Sequence, residues 1–388
     1  MRFIVFNTKQ TGGQDLLWGI VLNGHEIDVY PENLSAYEAD ADERAESIVK
    51  FIKNGKYDGA ISWNFFPAVS QACETAGIPY MAWIFDSPLL HIYSKEAINT
   101  CNYIFDFDKI SAAELKSFGI NAYHMPLGVN ADRLRGLVIT DEQIKKYSRD
   151  ISFVGSLYQK NPYNKACFSE EQQKNFDVIF AKQMTDWSRN YLYDELNEEN
   201  LALLRSKAAI ADIDRYIFLQ ERQLYAGFFM ARKYAQIERK LILNTLAENY
   251  QVTLYNRGDD VSVLKNVECL GAAAYETEAP IVYFASRINL NMTLKSIRSG
   301  LPLRVFDIMG AGGFLLSNYQ PEFEELYEPG KDLVCYGSME ELVELAGYYL
   351  THDRERQKAT VNGYKKTCAE HTIALRIRRM LQIVYGKS

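Results

Sequence analysis

Short apolar runs alternate with amphipathic segments along the first 130 residues, the pattern that parallel strands joined by crossover helices produce. The runs predict strands over 2–6, 26–30, 57–63, 79–85, 102–106 and 122–125. Between them, residues 15–22, 41–53, 68–76 and 111–118 carry apolar side chains at helical spacing, and Gly24, Gly77 and Gly119 stand where helix C-caps belong. The expected unit is a doubly wound open sheet.

The segment Met125-Pro-Leu-Gly-Val-Asn130 ends this series, and a fresh strand with a glycine turn begins within 150–158. Residues 165–247 break the rhythm: they lack proline and carry long 3.6-period stretches, as over 213–246, which predicts a helical insertion. Strands are expected again at 250–255, 267–270, 287–290, 313–317 and 333–336, with helices at 278–285, 303–310, 321–327 and 339–350. Two helices, 353–368 and 372–385, follow, the last basic and apolar. The chain is thus expected to be α/β, with two Rossmann-like doubly wound parallel-sheet domains facing a cleft. Their expected limits are 1–130 for the acceptor side and 131–370 for the nucleotide side, with 371–388 packing back on the first domain.

A length of 388 residues exceeds what a single hydrophobic core usually fills, which also favours two domains. The formal charge of −7 argues against nucleic acid as a partner. No apolar run approaches the ~18 residues of a membrane span, and the N-terminus reads directly into a strand. A cytoplasmic protein is expected. The six cysteines show no CxxC pair or metal-like spacing and read as reduced core residues.

Open parallel sheets bind ligands beyond the carboxyl ends of their strands. After the first strand, Gly12 and Gly13 open a helix whose amides would face an anion or a sugar hydroxyl, although a plain turn needs glycines too. A third glycine and a P-loop Lys-Ser/Thr are both missing, against dinucleotide and NTPase readings. After the fourth strand, Asp86 arrives at the cleft edge beside Ser87, as a general base on an acceptor hydroxyl or as the cap of the following turn. His91 and His124 are further candidates for the same cleft.

In the second half, the helix start near Pro302 and the Arg304 guanidinium suit a diphosphate, while Asp307 can accept two hydrogen bonds from ribose hydroxyls. The bland reading makes Arg304 and Asp307 a surface ion pair, with Gly310, Gly312 and Gly313 closing the helix. Asp106 and Asp108 have the spacing of a metal-binding DxD, but Asp40/Asp42 and Asp212/Asp214 share it, so chance suffices.

The run from Arg304 to Leu316, with Pro321–Val334, Glu340-Glu-Leu342, His371-Thr372 and Arg376, resembles the CgeB/YkvP-like proteins of glycosyltransferase group 1. Trp83–Pro88, Tyr103–Asp108, Pro126–Asn130 and Phe153–Tyr158 extend the resemblance over most of the chain outside 165–247. It implies a GT-B fold, a nucleotide-sugar donor (a UDP-sugar favoured) on the C-terminal domain, and no obligatory divalent metal or other cofactor. Asp307 matches the second acid of the E-x7-E motif of related transferases, and the first acid falls on Ser299. Retaining relatives keep both acids, so the departure leans towards inversion with Asp86 as base.

The resulting mechanism has Gly155, Ser156, Arg257 and Arg304 hold the leaving diphosphate, Asp307 the ribose and Tyr275 the base, with Asn291, Gly312 and Gly313 also on the donor side. Gly12, Gly13, Ser87 and His91 fall on the acceptor side. The acceptor itself, whether glycan, protein or small molecule, and the oligomeric state are not legible. A nucleotide-sugar 2-epimerase and a catalytically silent nucleotide-sugar or glycan binder are the alternatives.

Overall fold

The computed structural model describes the chain apart from residues 33, 35–40, 188, 208–212 and 387–388, and omits the side chains of 41 and 42. Asp40 and Asp212 therefore lie outside the described residues. The first sheet holds β1 (Arg2–Phe6), β2 (Glu26–Val29), β3 (Gly59–Trp63), β4 (Tyr80–Trp83), β5 (Asn102–Asp106) and β6 (Ala122–His124), all parallel, in the order β2-β1-β3-β4-β5-β6. Its crossovers include α1 (Gly13–Leu22), α2 (Ala41–Gly55), α3 (Pro67–Ala76) and α4 (Lys109–Ser117). Central strands buried on both faces read as unbroken apolar runs, and β1 is such a strand: Phe3 and Val5 face one core, Ile4 and Phe6 the other. Gly24, Gly77 and Gly119 all take positive φ at helix ends; Gly77 is the C-cap of α3, while Asn23 and Phe118 cap α1 and α4 with the glycine one residue further on.

Two short helices, α5 (Ala131–Arg135) and α6 (Asp141–Tyr147), lead to the second sheet. It contains β7 (Ile151–Val154), β8 (Val252–Tyr255), β9 (Val267–Leu270), β10 (Ile288–Asn291), β11 (Leu315–Asn318) and β12 (Val334–Tyr336), again all parallel, in the order β12-β11-β10-β7-β8-β9. The fold class is therefore α/β with two open parallel sheets, in agreement with the sequence reading.

Between β7 and β8 stand α7 (Pro162–Lys165), α8 (Glu170–Thr185), α9 (Tyr191–Asp194), α10 (Glu198–Lys207), α11 (Glu221–Leu224) and α12 (Ala231–Ala247), with a core of their own around Phe176, Phe180 and Tyr234. The continuous helix expected over 213–246 is broken. Tyr216, Phe218 and Leu219 leave helical geometry to dock on the first sheet's core, where Phe218 N–H donates to Tyr93 O at 3.2 Å and its ring stacks on Phe118. A π-helical stretch, Tyr225–Met230, then joins α11 to α12.

The remaining helices are α13 (Ala279–Ala285), α14 (Leu303–Gly310), α15 (Phe323–Leu326), α16 (Met339–Thr351), α17 (Asp353–Glu370) and α18 (Ile373–Tyr385). Phe3, Val5, Ile61 and Trp63 share one apolar core with Val305, Phe306 and Ile377, so the sheets meet through buried side chains. At the end of the chain α18 lies on α1: a methyl on Gly19 would stand 2.6 Å from Ile373 Cγ2, and Asn23 Nδ2 donates to Ala374 O at 3.0 Å. All six cysteines are free, but only Cys73 is buried in the core; Cys101, Cys269, Cys335 and Cys368 are half-buried and Cys167 is exposed. Among the described residues no helix is long and apolar enough to cross a membrane.

Candidate active site

In each sheet the strand order reverses at one crevice, between β1 and β3 in the first and between β7 and β10 in the second. Such switch points are where open sheets hold ligands, because successive loops diverge there. The loops after β1 and β3 contribute Asn7, Gln10 and Asn64, and those after β7 and β10 contribute Tyr158 and Leu294, to one cavity of about 300 Å³. Its remaining walls come from Leu34, Phe65 and Phe66, from the loop after β4, and from Phe228 and Arg232 of the helical insertion.

Asp86 lies in this cavity. Asn64 fixes it: its Oδ1 accepts from Phe85 N at 2.9 Å and Asp86 N at 3.0 Å, while its Nδ2 donates to Asp86 Oδ2 at 2.8 Å. Among the described residues the second carboxylate oxygen of Asp86 receives no protein hydrogen bond. Burial raises the Asp86 pKa, against the opposing Asn64 hydrogen bond and Arg232 charge, which makes it a better proton acceptor. Two buried donors in the same cavity, Gln10 Nε2 and Arg232 Nε, lack partners among the described residues. Buried donors left unmatched are costly, so the cavity suits an oxygen-rich ligand.

Gly12 takes φ 77° as the N-cap of α1, its carbonyl accepts from Trp63 Nε1 at 2.9 Å, and its Cα faces Leu303 at the start of α14. Gly13 is dictated by the turn, since a Cβ there would sit 1.9 Å from Thr8 O. Ser87 Oγ donates to Ser296 Oγ at 3.3 Å and so links the first sheet to the loop after β10. His91 is buried against Tyr216, and burial, with the Arg215 charge, pushes its pKa down to about 4, so it is a neutral wall of the cavity.

At the β7/β10 crevice, Arg304 Nε donates to Val154 O at 2.9 Å and its Nη1 to Asn291 Oδ1 at 3.0 Å, with the guanidinium over the Phe153 ring. Gly155 is required beside it, because a Cβ there would stand 2.9 Å from Arg304 Nη2. Arg239 of α12 flanks the same ring and donates to Ser156 O and Met292 O. Burial and the Arg304 charge pull its pKa down to about 10, which leaves it cationic at neutral pH. Ser156 Oγ donates to Asp259 at 2.8 Å, and Arg257 is exposed beyond β8. Asn291 is buried and positions Arg304 rather than opening to a ligand.

Asp307 projects from α14 into a cluster that spans both sheets. The Tyr275 hydroxyl lies 3.3 Å from Asp307 Oδ1 and 3.0 Å from Asp15 Oδ2, and Asp15 also accepts two hydrogen bonds from Arg133 and one from Asn130. Burial and the Asp15 charge push the Asp307 pKa up to about 7, against Arg133. Tyr275 is thus committed to carboxylates, not presented to a nucleobase.

One expectation fails on geometry. Gly312 and Gly313 follow the C-terminus of α14 and precede β11, at the edge of the sheet away from the cleft; Gly313 is packed against Tyr283 O and Asn289. They close a helix and touch no donor site. Asp106 and Asp108 are spent within the protein: Asp108 caps α4 and accepts the amides of Arg298, Ser299 and Gly300, while Asp106 accepts from Ser111 Oγ at 2.6 Å. Among the described residues no cluster of three metal-type ligands occurs. Ser299, at the position of the absent acid, donates to Glu322 at 2.7 Å, and Glu322 in turn meets His124 Nε2 at 2.9 Å. His124 therefore belongs to this seam and not to the cavity.

Asp15, Arg133, Arg232 and Arg239 escaped the sequence reading. Helical charges with partners far along the chain resemble a solvated face, and nothing local marks them.

Known structures share this architecture. A glycosyltransferase from Rickettsia africae aligns over 100% of this chain and 99% of its own at 10% identity and a TM-score of 0.60. Anabaena HepE, in complex with UDP and glucose, aligns over 100% of both chains at 10% identity and a TM-score of 0.55. Sucrose-phosphate synthase from Thermosynechococcus elongatus gives 100% of both chains, 9% identity and a TM-score of 0.55. The fold is GT-B. Within it, residues 232–382 match the sequence profile of a family described as glycosyl transferase-like, a region that contains α14, Arg304 and Asp307. No curated protein matches the chain in sequence. The GT-B fold and the matched region together support a glycosyltransferase, and of the two strands that flank the second crevice the matched region holds β10.

Proposed function

We propose that the protein is a cytoplasmic, CgeB/YkvP-like enzyme that transfers a sugar from a UDP-sugar to an acceptor hydroxyl with inversion and without a metal ion. The observation that carries this reading is the joint cavity of the two switch points, where a single carboxylate, Asp86, faces buried donors that lack partners. The complex of Anabaena HepE with UDP and glucose supports the choice of donor.

In this reading the diphosphate lies at the amides after β7 and the Arg304 and Arg239 guanidiniums, with Arg257 reaching it from the rim. Asp86 takes the proton of the acceptor hydroxyl as its oxygen bonds to the anomeric carbon. The bond from that carbon to the diphosphate oxygen breaks, and its electron pair leaves with UDP. Two fixed cations stabilise the charge that develops on the leaving group without reorganising. Asp307 would exchange the Tyr275 hydroxyl for ribose hydroxyls when the donor enters.

Thermal stabilisation by UDP, GDP, ADP and their sugars tests the reading, because a ligand of the native state raises the melting temperature. A response to UDP that weakens in Arg304→Ala and Asp307→Ala is expected. Silence towards all nucleotides at millimolar concentration would sink the transferase assignment.

A further inference from the structure

A second, larger cavity of about 420 Å³ lies on the other side of the Asp86–Leu90 segment, which walls both. It is bounded by the loop after β5, the loops after β10 and β11, and the helical insertion. We propose that it is the acceptor site and that it takes the end of a neutral saccharide. The proposal rests on the transferase reading above.

Three features carry it. Tyr93, Trp187, Tyr193 and Tyr319 line the cavity, and aromatic faces are the surfaces on which the C–H face of a sugar ring packs. Two of its three cations are paired with carboxylates, Arg298 with Glu114 at 3.0 Å and Arg189 with Asp194 at 3.5 Å, and the third, Lys295, donates to Trp187 O at 2.9 Å. Among the described residues the lining carries four carboxyl groups, Asp86, Asp106, Asp108 and Glu114, against these three cations, which disfavours an anionic ligand. Finally, two buried amide oxygens of this cavity, Asn190 Oδ1 and Gln223 Oε1, have no donor among the described residues.

The orientation of both amides is fixed by their other ends. Asn190 Nδ2 donates to Lys295 O at 3.2 Å, and Gln223 Nε2 donates to Tyr93 Oη at 2.7 Å and Glu114 Oε2 at 2.8 Å, so the oxygens are the unmatched atoms. Unmatched acceptors call for a ligand rich in hydroxyl groups. The smaller cavity is the complement, with unmatched donors at Gln10 and Arg232. The two cavities thus ask for different ligands and meet at Asp86, where a hydroxyl from the larger one would face an anomeric carbon in the smaller. The helical insertion, through Trp187, Asn190, Tyr193 and Gln223, would then select the acceptor.

Saturation-transfer NMR with lactose, cellobiose, maltotriose and digalacturonic acid tests this, run beside calorimetric UDP titrations on the whole protein and on Asn190→Ala and Tyr319→Ala. At least one neutral saccharide is expected to bind, about fivefold more weakly in each variant, with UDP affinity unchanged. Equal saccharide affinity in both variants, preference for digalacturonic acid, or no saccharide binding while UDP binds would overturn the proposal. Because Tyr319 is exposed, its variant keeps the test open if Asn190→Ala folds poorly. Saccharide binding lost in the variants with UDP unbound would uphold the cavity and sink the donor reading instead.

Discussion

The Tyr275 hydroxyl stands between Asp15 of α1 and Asp307 of α14, 3.0 Å from one carboxylate and 3.3 Å from the other. One O–H hydrogen cannot satisfy both, and with Arg133 bonded to Asp15 through two nitrogens, Asp307 is the carboxyl pushed up to about 7. A carboxyl with a higher pKa in the folded chain stabilises the fold when protonated. That contribution is complete below the unfolded value of about 3.9. It is lost as the pH rises through about 7. The melting temperature is therefore expected to fall more between pH 5 and pH 8 in the wild type than in Asp307→Asn. Asp106, also pushed up to about 7, titrates in both proteins, so the difference between the two melting curves reports Asp307.

Asp86 is expected to govern turnover and not donor affinity. Asp86→Asn keeps the shape and the Asn64 contact but cannot take a proton. Loss of a general base typically costs about 10²- to 10⁴-fold in rate, so the transfer rate should fall in that range while the UDP dissociation constant stays within about twofold. Parallel loss of UDP binding in calorimetry would move Asp86 from base to donor contact.

The central strands were readable because β1, β3 and β4 are apolar runs of four or five residues buried along almost their whole length, and β2, β4 and β6 each follow a glycine with positive φ. The break at 216–220 was not, because Phe218 leaves its helix for a partner about a hundred residues away in sequence, a tertiary force that periodicity does not register. Asp86 was legible from its place after a strand. Asp15 was not: within α1 it reads as a solvated helical acid, and its partners Arg133 and Tyr275 lie 118 and 260 residues further on. Gly312 and Gly313 were misread because a glycine-rich turn looks alike at either edge of a sheet, and only chain direction distinguishes them.

Arg304 should matter to UDP far more than its exposed neighbour Arg257. Arg304 is held by Val154 O, Asn291 and the Phe153 ring, so little freedom remains to be lost on binding. Charge-assisted hydrogen bonds contribute about 1.5–3 kcal/mol, and Arg304→Ala is expected to weaken UDP roughly 10- to 100-fold. Arg257→Ala should weaken it about threefold or less, as exposed charges do. Titration calorimetry of the two variants side by side orders them.

Gly12 and Gly13 differ in what they forbid. A Cβ on Gly13 would lie 1.9 Å from Thr8 O, so Gly13→Ala must move backbone and is expected to cost about 3 kcal/mol. Gly12 has room, with its nearest contact at 3.7 Å, and only its φ of 77° resists a side chain. Gly12→Ala should cost about 1 kcal/mol. Urea denaturation separates the two, and equal losses would contradict the turn geometry.

Replacing Ser299 with the acid found in retaining relatives is expected to damage the fold. Ser299 is 3% exposed, and its hydroxyl lies 3.0 Å from Asp108 and 2.7 Å from Glu322, both of them buried. Asp108 already receives the amides of Arg298, Ser299 and Gly300, and Glu322 receives Lys109 N and the His124 ring. A third carboxylate at this seam would meet two like charges and no spare cation. An uncompensated buried charge costs about 3–5 kcal/mol, so Ser299→Glu should unfold at markedly lower urea than Ser299→Ala, which loses only a hydroxyl. The comparison bears on stereochemistry as well: if Ser299→Glu folds with wild-type stability, the loop after β10 can open towards the donor, and the argument for inversion from the missing acid loses its physical basis.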